Sequence, residues 1–100
     1  MASLSDITER LRGALEGQPG LSKTLKLDLR GEGVVFIDGA EVSNDDRSAD
    51  CTVSVSKDDL VDMAQGRLDP MLALMRGRMR VTGDMAVAMR LQSILSRARE

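Results

Sequence analysis

Residues 51–84, CTVSVSKDDLVDMAQGRLDPMLALMRGRMRVTGD, decide how this chain folds. The stretch opens on strict alternation. Cys51, Val53 and Val55 are apolar, and Thr52, Ser54 and Ser56 are polar, which is the pattern of a strand with one buried face. Ser56 then stands where a helix cap belongs, with Asp59 three residues on completing an acidic form of the capping box. Leu60, Val61, Met63 and Ala64 carry that helix towards Gly66. Asp69-Pro70 restarts a helix, Asp as cap and Pro at the first helical position, where an N–H has no intrahelical partner to lose. Met71, Leu72, Leu74 and Met75 are its apolar content, and Gly77 stops it. Alternation returns over Arg78–Thr82, with Met79 and Val81 inward and Arg78, Arg80 and Thr82 outward, until Gly83 turns the chain. The reading is strand, helix, helix, strand.

On the C-terminal side, Asp84 opens a last helix with apolar Met85, Ala88, Met89, Leu91, Ile94, Leu95 and Ala98, and Arg97 and Arg99 near its end suit the helix dipole. On the N-terminal side, Leu4–Leu15 is an amphipathic helix with Leu4, Ile7, Leu11, Ala14 and Leu15 at helical spacing. Ser3 or Ser5 caps its start, and Gly17, Pro19 and Gly20 end it. Thr24–Leu29 alternates, with Leu25, Leu27 and Leu29 on one face. Gly31-Glu32-Gly33 turns into Val34–Ile37, apolar on both faces, so the two segments form a hairpin. A short third strand falls around Ala40–Ser43. Asn44–Asp50 is a polar loop whose aspartates have no calcium-loop spacing and no closing Glu, so it reads as solvated. The polar alternates leave one sheet face in water, and the helices must cover the other. The expected architecture is α+β with a largely antiparallel sheet, a single domain over 1–100.

Composition narrows the function. The chain has 42% hydrophobic and 30% charged residues, ordinary for a globular fold, but one aromatic, Phe36, and no Trp, Tyr or His. Six of the seven methionines lie between Met63 and Met89. Met is unbranched and polarizable, so such a core either fills irregular space or lines a cavity that adapts to its contents. Net charge is −2, with an excess of arginine from Arg76 onward. That excess either solvates a face or favours an anionic lipid surface. Cys51 is a lone cysteine, the N-terminus has no signal-peptide pattern, and no stretch approaches the roughly 20 apolar residues of a membrane span. The cytoplasm is the expected location.

Catalytic chemistry finds few candidates. Without His there is no His-based triad, dyad or metal site. Cys51 opens a strand on its inward phase, with no base beside it, and reads as a buried structural thiol. Gly31-Glu32-Gly33 lacks the Lys and following helix of a phosphate loop. Asp58-Asp59 is explained by the helix dipole. Arg76, Arg78 and Arg80 have no aromatics around them to stack on bases, so nucleic acid is not an expected partner. No cofactor and no metal are expected.

Three blocks together resemble the sterol carrier protein 2 family. They are Ala49-Asp50 before the strand with Lys57-Asp58-Asp59-Leu60 after it, Gly66-Arg67-Leu68-Asp69-Pro70, and Gly77-Arg78-Met79-Arg80-Val81-Thr82-Gly83-Asp84, at the family's spacing. The likeness covers about residues 4–97. It implies a five-stranded sheet with helices on one face and an apolar tunnel between the layers. It also implies binding of fatty acids, acyl-CoA esters, phospholipids, sterols or isoprenoids, and no catalytic residues. The ending Ala98-Arg99-Glu100 is unlike a peroxisomal signal, so a short bacterial stand-alone member is the closer likeness. Scarce aromatics favour flexible chains over a rigid sterol.

The candidate lining is therefore Phe36, Val53, Val55, Met79 and Val81 from the strands with Leu72, Met75, Met85, Met89 and Ile94 from the later helices. The last helix is the expected gate. Arg76, Arg78 or Arg80 either meets a head group near the mouth or solubilises an edge strand. Expected partners are a lipid or other apolar small molecule, with a transient membrane surface or a lipid-using enzyme, and the expected state is a monomer. A rival reading is a protein-interaction module presenting a lipid intermediate, as small relatives in quinone biosynthesis suggest.

Overall fold

A computed structural model describes residues 3–17 and 22–98. Pro19, Gly20 and Arg99, and the Ala98 side chain, given roles above, lie outside the described part. Nine elements follow in order: α1 (Leu4–Leu15), β1 (Thr24–Asp28), β2 (Val34–Asp38), β3 (Glu41–Ser43), β4 (Cys51–Val55), α2 (Lys57–Ala64), α3 (Pro70–Met75), β5 (Met79–Gly83) and α4 (Met85–Ala98).

The strands form one sheet in the order β3-β2-β1-β4-β5. All neighbours are antiparallel except the central pair, where β1 and β4 run parallel with Leu25 beside Cys51 and Leu27 beside Val53. The mostly antiparallel α+β fold is as expected, but local patterning carried no sign of the parallel centre. Reaching β4 from β3 means stepping past two strands, roughly 14 Å at the usual strand spacing. The seven residues 44–50 can span about 23 Å when extended, so they suffice without a helix. They run over the outer sheet face. Lys26 Nζ meets Asp46 Oδ1 at 2.9 Å, and the Arg47 guanidinium sits 4.9 Å from the centre of the Phe36 ring.

Registered rows explain the core. Leu27 lies beside Val35 and Val53, and Val53 beside Val81, so the inward alternates of four strands form one apolar row. Leu25, Ile37 and Cys51 form another, and all three are fully buried. Ile7, Leu11, Ala14 and Leu15 of α1 and Val87, Leu91, Ile94 and Leu95 of α4 close over these rows. Ser3 caps α1 in a full capping box with Asp6. At α2 only half of the expected box forms: Asp59 N–H donates to Ser56 Oγ, while the Asp59 carboxylate turns to Arg78. A two-point ion pair outcompetes one backbone N–H for a carboxylate. At α4, Asp84 accepts from the Ala86 N–H at 2.9 Å and pairs with Lys23, which holds its carboxyl below the usual range.

Gly83 joins β5 to α4 at φ +101°, and a Cβ built there would stand 2.2 Å from the Asp50 carbonyl oxygen. Gly77, at φ +74°, opens onto free space. Urea denaturation should therefore separate two alanine variants. Gly77→Ala should cost only the left-handed penalty of about 1–2 kcal/mol, whereas Gly83→Ala should cost more than about 3 kcal/mol or prevent folding. Equal losses would contradict the backbone clash.

Candidate functional site

The cavity follows from what α4 leaves uncovered. Val87, Leu91, Ile94 and Leu95 pack inward. One helical stripe round, Met85, Ala88, Met89 and Gln92 recur at i, i+3, i+4 and i+7 and face the gap towards α3 rather than the sheet. Helix α3 does not fill that gap. It has six residues and only Ala73 is buried. Met71 and Leu74 reach the gap from α3, Met63 from α2, and Val53, Met79 and Val81 floor it from the sheet. The result is an apolar cavity of about 140 Å³ between α3, α4 and the β4–β5 end of the sheet.

Its walls grade from buried to exposed. Met63 and Met79 are 7% and 8% exposed, whereas Met85, Met71 and Met89 are 50%, 62% and 72% exposed. The floor is thus packed and the mouth is ringed by exposed thioethers. An apolar void of about 150 Å³ holds a benzene-sized guest. A long acyl chain therefore needs the rim methionines to swing out, which unbranched side chains do with little torsional penalty.

The expected lining residues divide. Val53, Met79, Val81, Met85 and Met89 come together at the cavity. Val55 and Ile94 are buried in the shared core but do not line it. Leu72 and Met75 are exposed on α3, away from the lining, because this short helix turns Ala73 inward instead. Phe36 requires correction: Val35 and Ile37 take the helix-facing side of β2, so Phe36 lies on the outer face under Arg47, in register with Lys26 and Ser43. Sequence reasoning missed Met63, Pro70, Met71, Leu74, Ala88, Leu91, Gln92 and Leu95. Met71 and Leu74 carried the signal of an apolar stripe, in the other phase from Leu72 and Met75. Ala88 and Gln92 are too small or too polar to register as a lining.

The arginines also divide. Arg78 holds Asp59 through Nη2–Oδ1 at 2.6 Å and Nε–Oδ2 at 3.2 Å, which ties the start of β5 to the first turn of α2. It is therefore committed to structure. Arg76 and Arg80 are exposed. Among the described residues no cluster of acidic, cysteine or histidine side chains is arranged to hold a metal ion, and no helix is long and apolar enough to cross a membrane.

These features define a sheet-and-helix domain built around an apolar cleft with a methionine rim. The family description "SCP-2 sterol transfer family" matches residues 2–96. Rabbit (Oryctolagus cuniculus) sterol carrier protein 2 is 36% identical over 56 residues, covering 56% of this chain and 10% of that protein. The chain thus spans a small part of that relative's length. Two solved structures share the fold. Aedes aegypti sterol carrier protein 2 in complex with palmitate superposes with a TM-score of 0.76 at 15% identity, covering 97% of this chain and 98% of that one. A UbiJ-SCP2 ubiquinone synthesis protein superposes with a TM-score of 0.70 at 20% identity, covering 94% and 93%. The chain belongs to the SCP-2 sterol transfer family.

Cys51 is fully buried on β4, and burial, reinforced by the nearby Asp84 carboxylate, pushes its thiol above the usual range. Ellman's reagent should therefore leave the native thiol unmodified and titrate one thiol per chain in urea. Rapid reaction of the folded protein would show that β4 is not shielded as described.

Proposed function

We propose that this chain is a lipid carrier, not an enzyme, that holds one apolar chain in the cavity between α3, α4 and β4–β5. The observation that carries the reading is the pairing of an apolar void with exposed methionines at its rim. Large apolar side chains are ordinarily kept out of water, and contiguous exposed patches mark binding sites. All five exposed large hydrophobics among the described residues, Met71, Leu72, Met75, Met85 and Met89, lie on α3 or the start of α4. Burying a methylene contributes roughly 0.8 kcal/mol, so a dozen contribute about 10 kcal/mol before ordering costs. Apolar walls alone therefore supply useful affinity. The palmitate-bound mosquito relative supports a chain-shaped guest.

Charge suits entry from a membrane. Residues 67–90 hold five arginines against two aspartates, a net +3 on a chain whose total is −2. A basic segment around an apolar rim favours brief contact with an anionic bilayer, where a chain passes between lipid and protein without crossing water. We read the protein as a monomer working in the cytoplasm, where its lone buried thiol stays reduced.

The likeness to a ubiquinone synthesis protein favours a second reading, in which the domain presents a bound intermediate to an enzyme of that kind. One variant addresses both. Ala88 is half-buried on the cavity wall, and Ala88→Phe fills the void while leaving the sheet untouched. Protein purified from its own host and extracted under denaturing conditions should release one lipid per chain by mass spectrometry. Ala88→Phe should retain less than about a tenth of that lipid and lose uptake of a fluorescent fatty acid. No lipid from the parent protein, and no uptake, would refute carriage. A stable enzyme complex that survives Ala88→Phe would favour a lipid-independent interaction role.

A further inference from the structure

We infer that the apolar cavity opens into a polar chamber that selects lipids with uncharged, hydrogen-bonding head groups; this inference rests on the carrier reading and sharpens it. A second cavity of about 360 Å³ adjoins the first and shares Met63, Pro70, Gln92 and Leu95 with it. That volume lies within the roughly 300–1,000 Å³ usual for ligand sites. The two chambers differ in chemistry along one stripe of α4. Met85, Ala88 and Met89 line only the apolar chamber, Gln92 lines both, and Ser96 lines only the second. Residues four apart on a helix lie on one face, so Ala88, Gln92 and Ser96 step from apolar to polar along a single line. An amphiphile laid along that line places its chain among the methionines and its head beside Gln92 and Ser96.

The head must be uncharged. Gln92 offers amide donors and an acceptor, and Ser96 a hydroxyl that does both. Among the described residues the one ionisable side chain lining the second chamber is Asp69. Its Oδ1 accepts the Met71 N–H at 2.9 Å, which leaves the second oxygen free of that bond. Among the described residues no lysine or arginine lines either chamber, and Arg78 is held by Asp59. A carboxylate or phosphate head would meet the Asp69 charge with no cation among the described lining residues. A glycerol, alcohol or phenol head would meet a donor-acceptor pair and a spare carboxylate oxygen. Selection by an adverse charge as well as by favourable bonds is how such sites discriminate.

Calorimetric titration at pH 8 with 1-decanoylglycerol and with sodium decanoate, both below their aggregation concentrations, tests this directly. The glycerol ester should bind at least about fivefold more tightly, the worth of about one net hydrogen bond. Asp69→Asn keeps the helix cap, since Asn caps as well as Asp, and removes the charge. It should strengthen decanoate binding severalfold and so narrow the ester's advantage. The double variant Gln92→Leu/Ser96→Ala, at two exposed helix positions, should erase the ester's advantage, with thermal melts confirming that it stays folded. Equal or tighter binding of decanoate by the parent protein overturns the inference, as does an Asp69→Asn variant with unchanged decanoate affinity. If neither ligand binds, the carrier reading beneath it has failed instead.

Discussion

One helix does two jobs here, and the rest of the structure depends on how it divides them. The inward stripe of α4, with Val87, Leu91, Ile94 and Leu95, closes the core over the sheet and against α1. The neighbouring stripe, with Met85, Ala88 and Met89, has no fixed partner and faces the gap beside α3. A longer or more deeply packed α3 would seal that gap and make a solid core. Instead α3 spans Pro70–Met75 and buries only Ala73. The void is therefore a product of helix length and phase, and the sheet beneath it is closed. Leu25, Leu27, Val53 and Val55 are fully buried, a packed floor beneath an exposed rim.

Charge separates structural from functional roles on the same segment. Arg78 and Asp59 brace β5 against α2 through a two-point ion pair with the carboxylate largely out of water. Breaking one partner of such a pair leaves a buried charge uncompensated. Arg47 covers the sole aromatic ring on the far face and helps hold the crossover loop down. Neither arginine is free to greet a ligand. The sheet edge and the α3 end keep Arg80 and Arg76 exposed, where they can meet an anionic surface but do not line the chambers.

Most element boundaries were legible because their signals are local. The alternation at Leu25 and Leu27, the Ser56 and Asp69 caps and the turn at Gly83 each act within a few residues. The parallel pairing of β1 with β4 was not legible, since it joins segments about 26 positions apart and alternation is the same in either direction. Phe36 was misplaced because Val34–Ile37 is apolar throughout and sets no phase; register with Lys26 and Ser43 decides it. Leu72 and Met75 were misplaced because a six-residue helix is too short for periodicity to set its inward face, and the small Ala73 took it. Gln92 and Ser96 carry no hydrophobic signal, so only the folded helix reveals that they continue the methionine stripe into a polar chamber.

The central claim is that the methionine-rimmed gap is a binding cavity able to widen. NMR of protein labelled at the methionine methyls and the Phe36 ring, titrated with 1-decanol, tests it at residue level. The account predicts saturable shifts of Met63, Met71, Met79, Met85 and Met89, with the Phe36 ring across the sheet unmoved. Methionine signals that stay in place through the titration, or shifts centred on Phe36 and the outer face, would contradict it.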